Sequence, residues 1–268
     1  MIYIIATPIG NLEDMSFRAI KCLNSSDIIC CEDTRNTSVL LNHYDIKKRL
    51  VSFHEHNELM RSQEIIEWAK KGKTISVVSD AGMPGISDPG SKLINLLIKE
   101  KIEYSVIPGA SAFTTALIYS GLNSDIFKFI GFLPVKGSKR RELLDMIKAE
   151  KDTIILYESP HKLDKTMEDL IKIIPERKIS IVRELTKIYE EHIDFKIKDY
   201  HKKDFVKKGE MVLIIDKYDS KRVFDEKEIE DLLLKEVKKG MRKSEAVALI
   251  SKKYELKKNM VYDISKRI

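Results

Sequence analysis

The sequence predicts an α/β protein built from two successive sheets and a small helical module, and three observations predict it. Short apolar runs alternate with helical spacings through the first half of the 268 residues. A second half keeps the alternation but adds strands suited to a mixed sheet, and a polar stretch at 218–223 precedes three short amphipathic helices. The expected domains are 1–112, 113–218 and 224–268.

In order, Ile2 to Ala6 reads as a strand, Ser16 to Leu23 as a helix, and Asp27 to Cys31 as a strand ending in Glu32-Asp33-Thr34-Arg35. A helix through Val39, Leu40 and Leu41 precedes the short strand Leu50 to Phe53. A helix containing Ile65, Ile66 and Trp68 leads to the strand Thr74 to Val78, the helix Lys92 to Glu100 and the strand Tyr104 to Ile107. Such regular alternation argues for a mostly parallel sheet covered on both faces, with its ligand crevice beyond the carboxyl ends of the strands.

The second half starts with a helix from Ala112 to Ser120. Strands then fall at Phe127–Phe132, 153–157, 179–182, 192–200 and Met211–Ile215, and helices at 139–149 and 163–174. After the linker at 218–223, Ile229, Leu232, Leu233 and Val237 mark a helix stopped at Gly240. Ser244 is the expected cap of the next, and Met260, Val261 and Ile264 mark the last. The final pair has helix-turn-helix spacing.

The most informative stretch is Ser79-Asp80-Ala81-Gly82-Met83-Pro84-Gly85-Ile86-Ser87-Asp88-Pro89-Gly90, with three glycines and two prolines in twelve residues. Glycine lets the backbone approach a ligand and proline holds the resulting shape. Asp88 or Ser87 is the expected N-cap of the following helix, with Pro89 at its first position; the alternative is that Asp88-Pro89-Gly90 is a helix start and no more. Thr7 to Asn11 and Pro108 to Ser111 also follow strands. All three loops converge on one rim and predict a pocket for an uncharged or zwitterionic ligand, with Asp80 as polar anchor.

Hydrophobic residues make up 43% of the chain, which excludes disorder, and no apolar run reaches a membrane span. The start, Met1-Ile2-Tyr3-Ile4-Ile5, lacks the features of a secretory leader, so a cytoplasmic protein is expected. Cys22, Cys30 and Cys31 fit reduced core thiols better than disulfides or a zinc site. His54 and His56 share a strand face without an evident third ligand, so no metal is expected. The net charge is +6, and residues 217–268 carry 15 Lys+Arg against 10 Asp+Glu. This basic module points to a polyanionic partner, with a structural cap or dimer contact as the alternative. Lys136, Lys139, Arg140 and Arg141 could hold a phosphate backbone or form a solvated helix face.

Neither a P-loop nor a G-x-G-x-x-G is present. Thr7-Pro8-Ile9-Gly10-Asn11, Cys31-Glu32-Asp33-Thr34-Arg35, Ser52-Phe53-His54-Glu55-His56-Asn57-Glu58 and the loop Ser79 to Gly90 occur in order. They are followed by Val106-Ile107-Pro108-Gly109-Ala110-Ser111-Ala112, Gly131-Phe132-Leu133-Pro134, Tyr157-Glu158-Ser159-Pro160-His161-Lys162 and Arg183-Glu184-Leu185-Thr186-Lys187. Together these motifs closely resemble the ribosomal RNA small-subunit methyltransferase I family, along essentially the whole chain. The resemblance implies a two-domain tetrapyrrole-methylase-like (class III methyltransferase) fold, a homodimer, and S-adenosyl-L-methionine bound in a cleft. It implies methylation of the 2′-hydroxyl of a cytidine in small-subunit (16S) ribosomal RNA. It carries cofactor contacts onto Pro8, Ile9, Asp80, Gly82, Met83, Ser111, Ala112 and Tyr157, with Glu184 and Met211 as further transfers.

A sulfonium methyl is already electrophilic, so such an enzyme chiefly aligns its nucleophile and needs no metal. A ribose hydroxyl is a poor nucleophile and benefits from a base or a nearby cation. The candidates are the ionisable residues at strand ends: Glu32, Asp33, Arg35, Glu158, Arg183, Glu184 and Lys187. Glu184 or Glu32 is expected to accept or orient the proton, with Lys187 and Arg35 on a phosphate or ribose oxygen. The alternative is a structural ion-pair network. Two rival functions remain: a methylase of the same fold acting on a tetrapyrrole or other small molecule, and a non-catalytic protein that binds the cofactor as a signal.

Overall fold

The computed structural model describes residues 1–218, 225–254 and 256–268. The chain divides into two compact units, Met1–Asp216 and Lys217–Ile268. In the first unit β1 (Ile2–Ile5), α1 (Phe17–Ser25), β2 (Ile28–Cys31), α2 (Thr34–His43), β3 (Arg49–Ser52), α3 (Glu58–Lys70), β4 (Ile75–Val78), α4 (Ser91–Lys99) and β5 (Tyr104–Ile107) alternate. Their strands form a wholly parallel sheet in the order β3-β2-β4-β1-β5. Burial on both faces explains the continuous apolar strands. Ile2, Ile4, Cys30 and Val77 pack with Ile65 of α3 and Leu93 and Leu97 of α4, whereas Ile5, Ile29 and Cys31 pack on the opposite face with Leu23 of α1 and Leu41 of α2. Cys30 and Cys31 thus enter different cores as free thiols, and burial pushes the Cys30 thiol up to about 12.

A second sheet follows, from α5 (Ala112–Ser120), β6 (Phe127–Phe132), α6 (Ser138–Ala149), β7 (Thr153–Glu158), α7 (Pro160–Ile173), β8 (Lys178–Arg183), β9 (Glu191–Lys196) and β10 (Met211–Ile215). Its order is β6-β7-β10-β8-β9, with β6 and β7 parallel and the other pairs antiparallel. Because β10 runs against β7 and β8, its first residues lie beside their last: Met211 pairs with Glu158 and with Arg183. α6 and α7 cover one face through Ile147, Leu163, Met167 and Leu170. α5 covers the other through Ala116 and Leu117, in the same cluster as Ile9 from the loop after β1, so that loop and the second sheet share a core.

Four expectations need correction. The strand expected over 192–200 ends at Lys196 and becomes a 3-10 turn, Ile197–Lys202. There the buried Tyr200 donates its hydroxyl to Asp164 at 2.7 Å, and Ile197 N–H donates to Arg177 O, bending the chain away from the ladder. Neither Asp88 nor Ser87 caps α4. Gly90, at φ 138°, is the capping position, and the buried Glu58 carboxylate of α3 accepts the N–H groups of Gly90 and Lys92 at 2.9 and 3.1 Å. Arg140 is no open phosphate ligand, because it is buried and donates to Asp169 at 2.8 and 3.0 Å and to Pro134 O at 2.8 Å, stapling α6 to α7. Lys136, Lys139 and Arg141 stay exposed.

The fourth correction concerns the second unit, which holds α8 (Glu226–Lys238), α9 (Lys243–Lys253) and α10 (Lys258–Ser265). Arg242, not Ser244, is the capping position of α9, and Ser244 lies in its first turn. Asp225 and Glu228 form a reciprocal capping box on α8, and Ile229, Leu233, Val247, Ile250, Val261 and Ile264 make a core of their own. Of the linker expected at 218–223, only Tyr218 is among the described residues. Within those residues no helix is long and apolar enough to cross a membrane.

Candidate active site between the two sheets

Strand ends build the site. Beyond β1 and β4, Thr7 and Gly82 exchange backbone hydrogen bonds at 2.9 and 3.1 Å, and Thr7 Oγ1 donates to Ser79 O at 3.1 Å, so the first two loops are locked together. Gly82 sits at φ +79°, a conformation that side chains disfavour. Gly10 lies so close to the loop after β8 that a Cβ there would come within 2.7 Å of Leu185 O. The sheets therefore meet backbone to backbone at this rim.

They enclose a cavity of about 300 Å³. Ile9, Asp80, Gly82, Met83, Ser111 and Ala112 line it from the first sheet. Tyr157, Leu185, Met211 and Val212 line it from the second, along with Phe132, whose ring centroid is 5.4 Å from that of Tyr157. Pro8 lines instead a neighbouring, more open groove of about 460 Å³, together with Asn36, Val39, Leu40 and Lys187. Ile9, Asp80, Ala81 and Glu210 line both.

Carboxyl groups fringe this apolar interior. Asp80 is held by α2, accepting Asp33 N–H at 3.0 Å and Asn36 Nδ2 at 2.8 Å. Asp88, released from capping duty by Glu58, lines the cavity. Burial first, then the negative charges of Glu32, Asp80 and Glu210, push its carboxyl up to about 7. Glu32, which lines neither the cavity nor the groove, is raised too, by burial and then by Asp80, with His54 opposing. Tyr157 is pushed up to about 12 by burial and stays a neutral hydroxyl.

The remaining candidates are held in ion pairs or at a helix start. Glu158 is buried and accepts Thr166 Oγ1 at 2.6 Å and Ser159 N–H at 2.8 Å, fixing the start of α7. Glu184, at φ +52°, accepts Lys187 Nζ at 3.0 Å and Glu210 N–H at 3.1 Å, while Lys187 also donates to Glu210 at 3.1 Å. Burial pushes the Glu184 carboxyl up, but these donors outweigh it and hold the group below its ordinary value. Arg35 is exposed and forms a bidentate pair with Asp33, which holds the Asp33 carboxyl near about 2. Arg183 pairs with Glu191 at 2.5 Å on the outer side of β8. His54 and His56 have ring centroids 6.0 Å apart, and among the described residues no group of three or more His, Cys, Asp and Glu is placed to hold a metal.

Sequence reasoning missed Asp88 as a cavity group, missed Glu210 and Asn36 altogether, and took Val39 for a helix residue only. Asp88 was hidden by its resemblance to a helix cap, and Glu210 by the surface-like run Lys207-Lys208-Gly209. The lining as it stands fits S-adenosyl-L-methionine: carboxylates attract its sulfonium and ammonium, and apolar walls accept its adenosine.

The model of the Tetrapyrrole (Corrin/Porphyrin) Methylases matches residues 1–201. Among curated proteins, the chain is 49% identical over 217 residues to Ribosomal RNA small subunit methyltransferase I of Halalkalibacterium halodurans, covering 80% of this chain and 75% of that protein. It is 40% identical to the protein of the same name from Bacillus subtilis over 98% of this chain and 93% of that one. Among solved structures, a diphthine synthase superposes with a TM-score of 0.65 at 15% identity, over 80% of this chain and 89% of that one. A uroporphyrin-III-C-methyltransferase from Thermus thermophilus gives 0.58 at 17%, over 80% and 93%. At such identities these two bear on the fold alone. The sequence relatives and the family model go further, and the chain belongs to the ribosomal RNA small subunit methyltransferase I family of S-adenosyl-L-methionine-dependent methyltransferases, on the tetrapyrrole methylase fold.

Proposed function

We propose that the enzyme methylates the 2′-hydroxyl of a cytidine in small-subunit (16S) ribosomal RNA. The observation that carries the reading is the carboxylate-fringed cavity sharing a wall with an open groove, which provides a seat for a cationic donor beside a place from which an acceptor can reach it. The names of the relatives supply the RNA class.

When bound, the cofactor supplies an electrophilic methyl group. Gly82, Met83, Ser111, Ala112, Tyr157 and Met211 shape its seat, Ile9 separates it from the groove where Pro8 lies, and Asp80 with Asp88 supplies the countercharge. Of the two candidate bases, which line neither the cavity nor the groove, Glu184 accepts Lys187 Nζ and orients it, and Glu32, whose carboxyl is raised, is left as the proton acceptor. Lys187 and Arg35 take a ribose or phosphate oxygen, and Glu158 positions the α7 end of the wall. A cytoplasmic homodimer acting on rRNA or the small subunit completes the reading; the exposed apolar Ile118, Tyr119, Ile188 and Tyr189 support self-association.

The test uses methyl-labelled cofactor and small subunits from cells lacking the enzyme. Label should enter the rRNA, with a ribose methylation stop at a cytidine in primer extension. Label in a small molecule or on a base nitrogen would overturn the reading.

A further inference from the structure

The groove beside the cavity has one feature that the cofactor does not need. Methyl transfer requires the acceptor oxygen within about 3–3.5 Å of the methyl carbon, so the acceptor must sit against the cavity wall. The groove meets that demand, since Ile9, Asp80, Ala81 and Glu210 face both spaces. A nucleotide within folded RNA reaches such a place by leaving its stack, and it then needs an apolar platform and an edge to read. Val39 is such a platform: it is 65% exposed on α2, with Leu12 and Leu40 also lining the groove.

The polar side chain that the groove wall offers to such an edge is Asn36. Its side chain faces Asp80, and a carboxylate only accepts, so the Asn36 nitrogen must point at Asp80 Oδ2, 2.8 Å away. Asp80 is itself fixed by Asp33 N–H at 3.0 Å. The Asn36 carbonyl oxygen is therefore left over together with the second amide N–H, neither with a hydrogen-bond partner among the described residues, and the bond to Asp80 fixes which of the two corners is the acceptor. A fixed acceptor on a groove wall selects a base with an amino group and penalises one that offers a carbonyl there. Cytosine carries a donor at that corner and uracil an acceptor. At the other end of the groove, the Lys187 ammonium gives two contacts to Glu184 and Glu210, leaving a third proton for a ribose or phosphate oxygen.

We propose that this groove seats one extruded pyrimidine nucleotide, its base on Val39 and Leu40, and that the Asn36 carbonyl selects cytosine over uracil. The proposal rests on the rRNA reading above and deepens it. Because Val39 is exposed, Val39→Trp fills the groove without disturbing a core. The full-length enzyme is used, with calorimetry for S-adenosyl-L-methionine, anisotropy of a fluorescein-labelled cytidine-containing RNA hairpin, and methylation of small subunits.

Val39→Trp should weaken hairpin binding and raise KM for subunits by about tenfold, a change on the scale of one lost base stack, with cofactor affinity unchanged. Ile98→Trp, at an exposed apolar position on α4, should change neither. Asn36→Ala should lower the preference for cytidine over uridine at the target by about tenfold, within the range of one base-edge hydrogen-bond pair. A purely structural role would alter both rates together and leave that ratio fixed. Loss of cofactor affinity in Val39→Trp, an unchanged KM and hairpin affinity, or an unchanged cytidine preference in Asn36→Ala would each overturn the assignment. If label enters a base instead of a ribose while Val39→Trp still weakens RNA binding, the 2′-hydroxyl reading fails and the groove stands.

Discussion

Asp88 carries an unusual charge state for a surface-loop carboxyl. Burial and three neighbouring carboxylates, Glu32, Asp80 and Glu210, raise it from 3.8 to about 7, and it makes no ion pair or hydrogen bond among the described residues. Between those two values the folded chain holds a proton there that the unfolded chain has released, so this group makes stability fall as pH rises through the window. Asp88→Asn should therefore raise the melting temperature at about pH 8 and leave it nearly unchanged at about pH 4, as differential scanning fluorimetry would report. Affinity for the cationic cofactor should do the reverse: the wild type tightens from about pH 6 to about pH 8 as Asp88 ionises, while the Asn variant stays weak and flat. A melting temperature lower at pH 8 in the variant would contradict the charge state. None of this was legible in the sequence, where Ser87-Asp88-Pro89 reads as a helix start. The competing cap, Glu58, lies thirty positions upstream, and only the packing of α3 against α4 brings it there.

At the scale of elements, the alternating strands and helices were legible because each apolar run is short and bounded by glycine, proline or charge. The mixed character of the second sheet was legible too, since the stretch 184–190 between the strand ending at Arg183 and the one starting at Glu191 is too short for a helical crossover. What escaped were boundaries set by single long-range contacts, as at Tyr200 with Asp164 and at Glu58 with Gly90. The second of these is testable. Glu58→Ala leaves two N–H groups of the α4 start without an acceptor in a buried place, which costs about 1–3 kcal/mol and should appear as a lower urea midpoint with an unchanged m-value. Gly10→Ala probes the other junction. Its Cβ would meet Leu185 O, Lys187 Cγ and Thr186 Oγ1 at 2.7 Å, so the loops must part. Methyl transfer should fall more steeply than stability, measured as kcat beside the melting temperature, because Leu185 lines the cavity and Lys187 the groove.

For the whole molecule, the division of labour follows where the charge lies. All four hydrophobic clusters of the first unit, and both cavities, use residues no later than Ile215. The second unit has its own three-helix core, yet most of the chain's excess positive charge falls within 217–268. A small unit with a net charge of that sign contributes to binding a polyanion chiefly by displacing counterions, and this contribution fades with salt. Removing 217–268 should leave S-adenosyl-L-methionine affinity intact by calorimetry. It should weaken binding to small-subunit rRNA and make the dependence of log affinity on log salt shallower, because fewer phosphates are neutralised. A truncated enzyme with the full-length salt slope would assign the tail to structure or self-association, and RNA engagement to Lys136, Lys139 and Arg141 on the first unit.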